Sequence, residues 1–482
     1  MKNKILILIA FICTLSSCGD FETTNVDPRQ VKEAPTRTLL TFALQQVPFI
    51  TFNSPTRQLT GYDTNFMNFY VQYLSEGPYP GASLYSTRNL NWTSWYTGPL
   101  YNLQTIINEN TAGSILADPG ANGSKNNQLA VARILKAYYY WYLTDLYGDI
   151  PYSTALKGNQ VLQPSFDTQE SVYTDLFKEL TEAQALINVS ETAVTGDILL
   201  NGNMLSWKKF ANTIRLYMSL RLIKKDAAKA KTEFNAALTA GVLGEGENIQ
   251  FSFVSGDPNN WNPWYKTYIN DNRNDVAVSS TIGNYMLTNN DPRIKVYAET
   301  FNGEVRPLPY GGSSAVNIPG AYSRLGARMQ AGGAIAPIFT YAQLLFVKAE
   351  AAQRGFITED AKALYEAGVK ASWQYWGVYD ATTLAGYMAD TDIAYTAATG
   401  LEKIITQKWA HQYLNGFEGW SDWKRTGFPA FTPAPGTTQG GGIPRRMGYP
   451  SSTRALNEAN YDAVVARQGA DDNYTRMWWD VK

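Results

Sequence analysis

The chain has 482 residues, enough for a large buried core, and its 41 Lys and Arg against 42 Asp and Glu leave a net charge of −1, which excludes a dedicated nucleic-acid binder with its basic surplus. Both cysteines, Cys13 and Cys18, lie near the N-terminus and His411 is the one histidine, which excludes disulfide frameworks, cysteine metal sites and His-rich metal sites. Charged residues make up 17% and aromatics 13%, a balance that suits a surface for neutral, hydroxyl-rich ligands or a helical core rich in Tyr and Trp.

Lys2 and Lys4 precede the apolar run ILILIAFIC (5–13), which is too short to span a bilayer, so the start reads as a secretory signal. Leu15-Ser16-Ser17-Cys18 then has the form of a bacterial lipobox. In that chemistry diacylglycerol alkylates the cysteine thiol, and cleavage leaves Cys18 as the first residue. Residues 1–17 are therefore read as a lipoprotein signal peptide and Cys18 as the lipidation site; an ordinary signal peptide with an incidental cysteine is the alternative. Each buried methylene of an anchor contributes about 0.8 kcal/mol, so several long chains hold firmly. Asp20 and Glu22 resemble the acidic export signal of some surface lipoproteins. Residues 18–36, with NVDP and little periodicity, read as a tether.

The spacing predicts helices over 38–47, 65–74 and 100–108, the last with Leu100, Leu103, Ile106 and Ile107 on one face. The polar, aromatic stretch YSTRNLNWTSWY (85–96) leads into it. A long amphipathic helix is expected over 128–147, stopped by Gly148, and another over 171–187, opened by Asp167 and Glu170 at capping-box spacing. Helices over 205–225 and 227–240 follow, and such pairs resemble tetratricopeptide packing, with aromatic and alanine stripes as scaffold. Over 244–336 helical periodicity fades. This segment is read as an ordered excursion over one face of the helical body, because Trp261, Trp264, Tyr265 and Tyr268 are too apolar for a solvated linker. Helices resume over 340–353, over 359–376 with Thr358 as cap, and over 399–414, broken by Gly416. The tail mixes loops with one short helix, and 37–482 reads as one domain.

The lipobox, KAYYYWYLTDLYGDIPY, FVKAEAAQRG, ITQKWAHQYLNGFEGWSDWKRTGFP and IPRRMGYPSSTRALNEANYDAVV occur in the order of the SusD/RagB family, and the chain resembles its shorter branch over essentially the whole mature length. The resemblance implies a mainly α fold: a tetratricopeptide-like helical scaffold with long irregular loop insertions. It also implies a non-enzymatic, lipid-anchored, surface-exposed outer-membrane protein. Such a protein closes like a lid over a SusC-like TonB-dependent transporter and delivers oligosaccharides, or peptides, for uptake. Starch-binding members grip glucan with an arc of aromatic side chains.

A sugar ring presents an apolar C–H face to Trp or Tyr and a hydroxyl rim to polar side chains. Two stretches combine both: Arg88, Asn89, Asn91, Trp92, Trp95 and Tyr96, and then Trp261, Trp264, Tyr265, Tyr268, Asn272 and Arg273. Core packing is the competing role for each aromatic. Glu418 and Asp422 could form the carboxylate pair of a glycan-processing enzyme; buried ion pairs are the plainer reading. A structural partner of the transporter with no ligand of its own is a third. His411 is read as a packed, hydrogen-bonded histidine. No cofactor is expected, and nothing supports a structural calcium on the Asp and Asn carbonyls of 257–275.

Overall fold

Helix starts and stops follow from local side-chain chemistry. Ser124 accepts from the Asn127 amide and opens Lys125–Tyr147, which ends at Gly148 with φ +84°. Thr168 caps Gln169–Leu186, Asn203 caps Met204–Arg221 and Asp226 caps Ala227–Ala240, each accepting an amide of the first turn. Thr340 and Gln343 form a reciprocal capping box at the start of Tyr341–Gln353. Each cap satisfies an amide that has no partner within its helix, a gain of about 1 kcal/mol. The computed structural model describes residues 33–52, 54, 66–86, 90–437 and 442–482. The signal peptide, Cys18, most of the tether, Arg88 and Asn89 lie outside the described residues.

Thr36–Lys482 form a compact, mainly helical unit. Consecutive helices pack as pairs: Lys125–Tyr147 with Gln169–Leu186, Met204–Arg221 with Ala227–Ala240, and Tyr341–Gln353 with Ala361–Trp376. Neighbouring pairs also touch, Gln169–Leu186 against Met204–Arg221 and Met204–Arg221 against Tyr341–Gln353, which is the stacking of a tetratricopeptide-like scaffold. Ahead of these pairs, Thr36–Gln46 packs on Tyr101–Ala112, which packs on Lys125–Tyr147. Every residue from Ala137 to Tyr147 is buried, so the expected amphipathic helix is instead enclosed on all sides along its C-terminal half.

Several expected boundaries move. Asp167 does not cap a helix; it takes the Tyr152 and Ser153 amides, and Thr168 is the cap. Asp360, not Thr358, opens Ala361–Trp376. The helix expected over 399–414 ends at His411, ahead of Gly416, and Gly416 begins the next helix, Gly416–Thr426, capped by Asn415. A Cβ there would lie 2.4 Å from the Asn68 backbone nitrogen, so only glycine lets this helix approach Phe66–Tyr70 so closely. Ala381–Ala389 buries only Tyr387, so no apolar stripe announces it.

The segment 244–336 is irregular but tied to the body. Val276–Val278 pairs antiparallel with Leu74–Glu76, and Ile249–Ser252 pairs with Ile335–Phe339. It also holds the helix Ser280–Thr288, capped by Ser279, which fading periodicity does not predict. A third two-stranded sheet joins Ile150–Pro151 to Phe166–Asp167. Among the described residues no helix is long and apolar enough to cross a membrane.

Candidate functional site

The small sheet Ile150–Pro151 and Phe166–Asp167 projects residues 152–165 as a loop beside the scaffold helices. Asp167 ties the loop's base: its Oδ2 accepts from the Tyr152 amide (3.2 Å) and the Ser153 amide (2.8 Å), and its Oδ1 from the Ser153 hydroxyl (2.7 Å). Two cavities, of about 740 and 390 Å³, share Tyr101 and the loop residues Ala155, Leu156, Lys157 and Gly158 as a common wall. Leu156 is held at φ +62°, a left-handed conformation that costs a non-glycine residue of order 1–3 kcal/mol and that gathers at ligand sites.

The larger cavity is polar. The Lys136 ammonium donates to Gln104 Oε1 (2.7 Å), and Gln104 Nε2 donates to Asn108 Oδ1 (2.9 Å), which fixes the amide's orientation. Facing the same cavity, the Tyr152 hydroxyl donates to Asp175 Oδ2 (2.6 Å), while Arg133 grips both oxygens of Glu179. Burial lowers the Lys136 pKa, against the opposing pull of Glu179 and Asp175, and burial raises that of Tyr152, helped by its bond to Asp175. The smaller cavity is apolar, formed by Trp92, Tyr96, Tyr101, Val161 and Leu162. Together they offer an aromatic ledge beside a wall of alternating donors and acceptors, which is what a ring with C–H faces and a hydroxyl rim requires.

The expected site residues separate. Trp92 and Tyr96 line the cleft, in edge contact with each other at 5.9 Å, and the Tyr96 hydroxyl donates to the Pro151 carbonyl. Asn91 is exposed and its side chain accepts the Thr93 amide. Trp95 is 3% exposed and packs on Tyr139, so it belongs to the core and not to a ligand surface. In the second stretch Trp264 and Tyr268 are also core: fully buried or nearly so, stacked at 5.8 Å, with the Tyr268 hydroxyl donating to the Val276 carbonyl. The Arg324 guanidinium also lies over the Tyr268 ring, 5.3 Å from its centroid. Trp261 and Tyr265 are half-buried and meet edge-on at 5.1 Å, with Trp261 Nε1 donating to the Ser255 carbonyl. Asn272 is exposed, and Arg273 is engaged by Asp275. None of the residues from 261 to 273 lines either cavity of the cleft.

Sequence reasoning missed Tyr101, Lys136, Tyr152, Leu156 and Asp175. Only Tyr101 carried a signal: it sits off the apolar face of its helix, and it is 53% exposed. In the 257–275 stretch Asp257 accepts from Asn259 and Asn260, Asp271 pairs with Lys266 and Asp275 with Arg273. No group of three or more His, Cys, Asp or Glu that could hold a metal occurs among the described residues.

Glu418 and Asp422 lie in the core as members of an ion network. Arg221 pairs with Asp145 (3.2 Å) and Glu418 (2.9 Å), and Asp422 pairs with Lys408 (2.9 Å) and Arg425 (2.6 Å). Arg425 also reaches Glu350, whose carboxyl is pushed down to about 2 because the Arg425 and Arg354 charges outweigh the cost of its burial. No solvent path is left for a carboxylate pair to work on a glycan, because both side chains are at most 1% exposed. His411 is buried, with Nε2 2.7 Å from the Thr340 hydroxyl and Nδ1 2.9 Å from the Ser372 hydroxyl. Burial, and then the Arg293, Arg328 and Lys408 charges, holds its pKa well below the usual value, so it is neutral.

A pH prediction follows from these two groups. Folded His411 does not take up the proton that the unfolded chain binds near pH 6.5, and folded Glu350 resists protonation until about pH 2 against roughly 4.3 unfolded. For both, stability is present above the unfolded pKa and is lost as pH falls, with a slope of about 1.4 kcal/mol per pH unit per proton. Urea unfolding at pH 8, 6 and 4.5 is expected to show falling stability. His411→Gln is expected to remove the loss between pH 7 and 5 while leaving the steeper acid limb.

The SusD-like family model, described as starch-binding and associating with the outer membrane, matches residues 28–450. Among solved structures, a chitin-binding protein is similar with TM-score 0.79 and 27% identity, covering 93% of this chain and 100% of the other. A chitin-binding SusD homolog from Flavobacterium johnsoniae is similar with TM-score 0.78 and 26% identity over 92% and 99%. A SusD homolog from Bacteroides vulgatus, at 23% identity and TM-score 0.76 over 92% and 98%, shares the fold. No curated protein matches the sequence significantly. The chain, matched by the family model over most of its length, belongs to the SusD-like family.

Proposed function

We propose that this protein is a lipid-anchored, surface-exposed binding protein of the outer membrane that captures an oligosaccharide and presents it to a SusC-like TonB-dependent transporter. The observation that carries the ligand reading is the two-compartment cleft, an aromatic ledge of Trp92, Tyr96 and Tyr101 beside the polar wall of Lys136, Gln104 and Asp175. Its two volumes, about 740 and 390 Å³, suit more than one sugar ring, and the Lys136 ammonium and the Asp175 carboxylate can give to and accept from neighbouring hydroxyls. The two chitin-binding relatives support a glycan over a peptide. Lipid attachment at Cys18 and delivery to the transporter rest on the lipobox and on family membership.

The chain acts by binding and not by turnover. Ligand in the cleft favours the closed state of the lipoprotein over the transporter to the extent that it binds that state better. The test is Tyr101→Ala, since Tyr101 borders both cavities and is largely exposed. Titration with N-acetylglucosamine oligomers is expected to show affinity at least tenfold weaker, about 1.4 kcal/mol, with the melting temperature within about two degrees. Equal affinity would place the ligand elsewhere, and shortening of the oligomer would mark an enzyme.

A further inference from the structure

A separate cavity of about 240 Å³ opens between the helices Ser280–Thr288, Ala361–Trp376 and Gly400–His411 and shares no residue with the cleft. Its inner wall has a fixed hydrogen-bond polarity. Arg293, fully buried on Asp291, donates through Nη2 to Gln407 Oε1 (2.8 Å). The Gln407 amide nitrogen must therefore point the other way, and it donates to the Tyr285 hydroxyl (2.8 Å) and the Tyr387 hydroxyl (2.7 Å). The Tyr387 hydroxyl in turn donates to Asp291 Oδ2 (2.9 Å). Tyr285 lines the cavity, and its hydroxyl, which accepts from Gln407 and neighbours the Tyr387 hydroxyl, can donate to that oxygen or into the cavity. Burial pushes its pKa up to about 12, so it keeps that proton.

The other walls complement this donor. Asn289 spends its Nδ2 on the Tyr285 carbonyl (2.7 Å), which leaves its Oδ1 as an acceptor. Thr406 offers a hydroxyl, and Glu402 and Asp392 bring carboxylates to the rim. The one ammonium, Lys403, is committed to the carbonyls of Thr391 and Asp392, so the recess disfavours anions. The rings of Tyr285 and Tyr365 add apolar surface. The space exceeds that of a few waters, each about 30 Å³, yet falls below the 300 Å³ or so of a drug-sized pocket. We propose that this recess is a second ligand site, built for one neutral sugar ring or a polyol of that size, with Tyr285 and Asn289 as its inner contacts and Glu402 at its mouth. A protein with two glycan-binding points on one chain would hold a branched or long polymer more tightly than either point alone.

The test uses the full chain in detergent, with Tyr101→Ala in the background so that the cleft contributes little. Saturation-transfer NMR with N-acetylglucosamine, and separately with glucose, at millimolar concentration is expected to show binding to this background. Tyr285→Phe, which removes the hydroxyl and leaves Gln407 Nε2 its bond to Tyr387, is expected to weaken it at least fivefold. Glu402→Gln, at an exposed position that the fold does not depend on, is expected to weaken it two- to fivefold. No transfer from either sugar, or equal affinity in both variants, would overturn the assignment. Because Tyr285 and Glu402 lie outside the cleft and every sample carries the same weakened cleft, a failure here is distinct from a failure of the oligosaccharide reading.

Discussion

Arg221→Ala is expected to destabilise the fold by about 3–5 kcal/mol, because it removes the cation from a fully buried cluster and leaves its carboxylates behind. Arg221 closes the last turn of Met204–Arg221 and joins Asp145 on Lys125–Tyr147 to Glu418 on Gly416–Thr426. Its guanidinium also lies over the rings of Trp141 and Trp479, at 5.6 and 5.8 Å from their centroids. Asp145 in turn accepts from Tyr173 (2.5 Å) and from Trp479 Nε1 (2.8 Å), so the cluster binds the C-terminus to the scaffold. Denaturant unfolding checks the size of the effect. Arg221→Ala with Glu418→Gln is expected to cost less than the two single changes added together, since each removes the other's unpaired charge. A loss below about 1 kcal/mol in Arg221→Ala would mean that water reaches the cluster.

Trp264→Ala is expected to cost a similar amount, about 3–5 kcal/mol, as a large-to-small change in a closed core. Its ring has no exposed surface, stacks on Tyr268 and sits where the segment 244–336 meets the body. Trp261→Ala, three residues away and half-buried, is expected to change stability by less than about 1 kcal/mol. Melting curves of the two variants separate the roles. If both melt like the parent, neither ring anchors the excursion. If Trp264→Ala keeps its stability but loses glycan binding, the tryptophan is a ligand contact after all.

The contrast between these neighbours shows what was legible in the chain. Helix positions could be read because caps such as Ser124 and Thr340 and stops such as Gly148 act through residues within a turn or two, and the 3.6 period repeats along one element. The ordered blocks from KAYYYWYLTDLYGDIPY to the tail pointed to the family in the same way, and the matched family model agrees. Burial of a given aromatic was not legible. Trp92 and Trp95 have similar local surroundings, yet one borders a cavity and the other lies under Tyr139, because the loop 152–165 and Lys125–Tyr147 approach them from distant parts of the chain. Asp167 looked like a cap and serves instead to hold that loop, a use set by a strand partner and not by its neighbours. Most helix positions and the family pattern could be read along the chain, since these depend on short-range spacing. Which rings face solvent and which carboxylates are paired could not be read that way, because those outcomes depend on what packs across from each side chain.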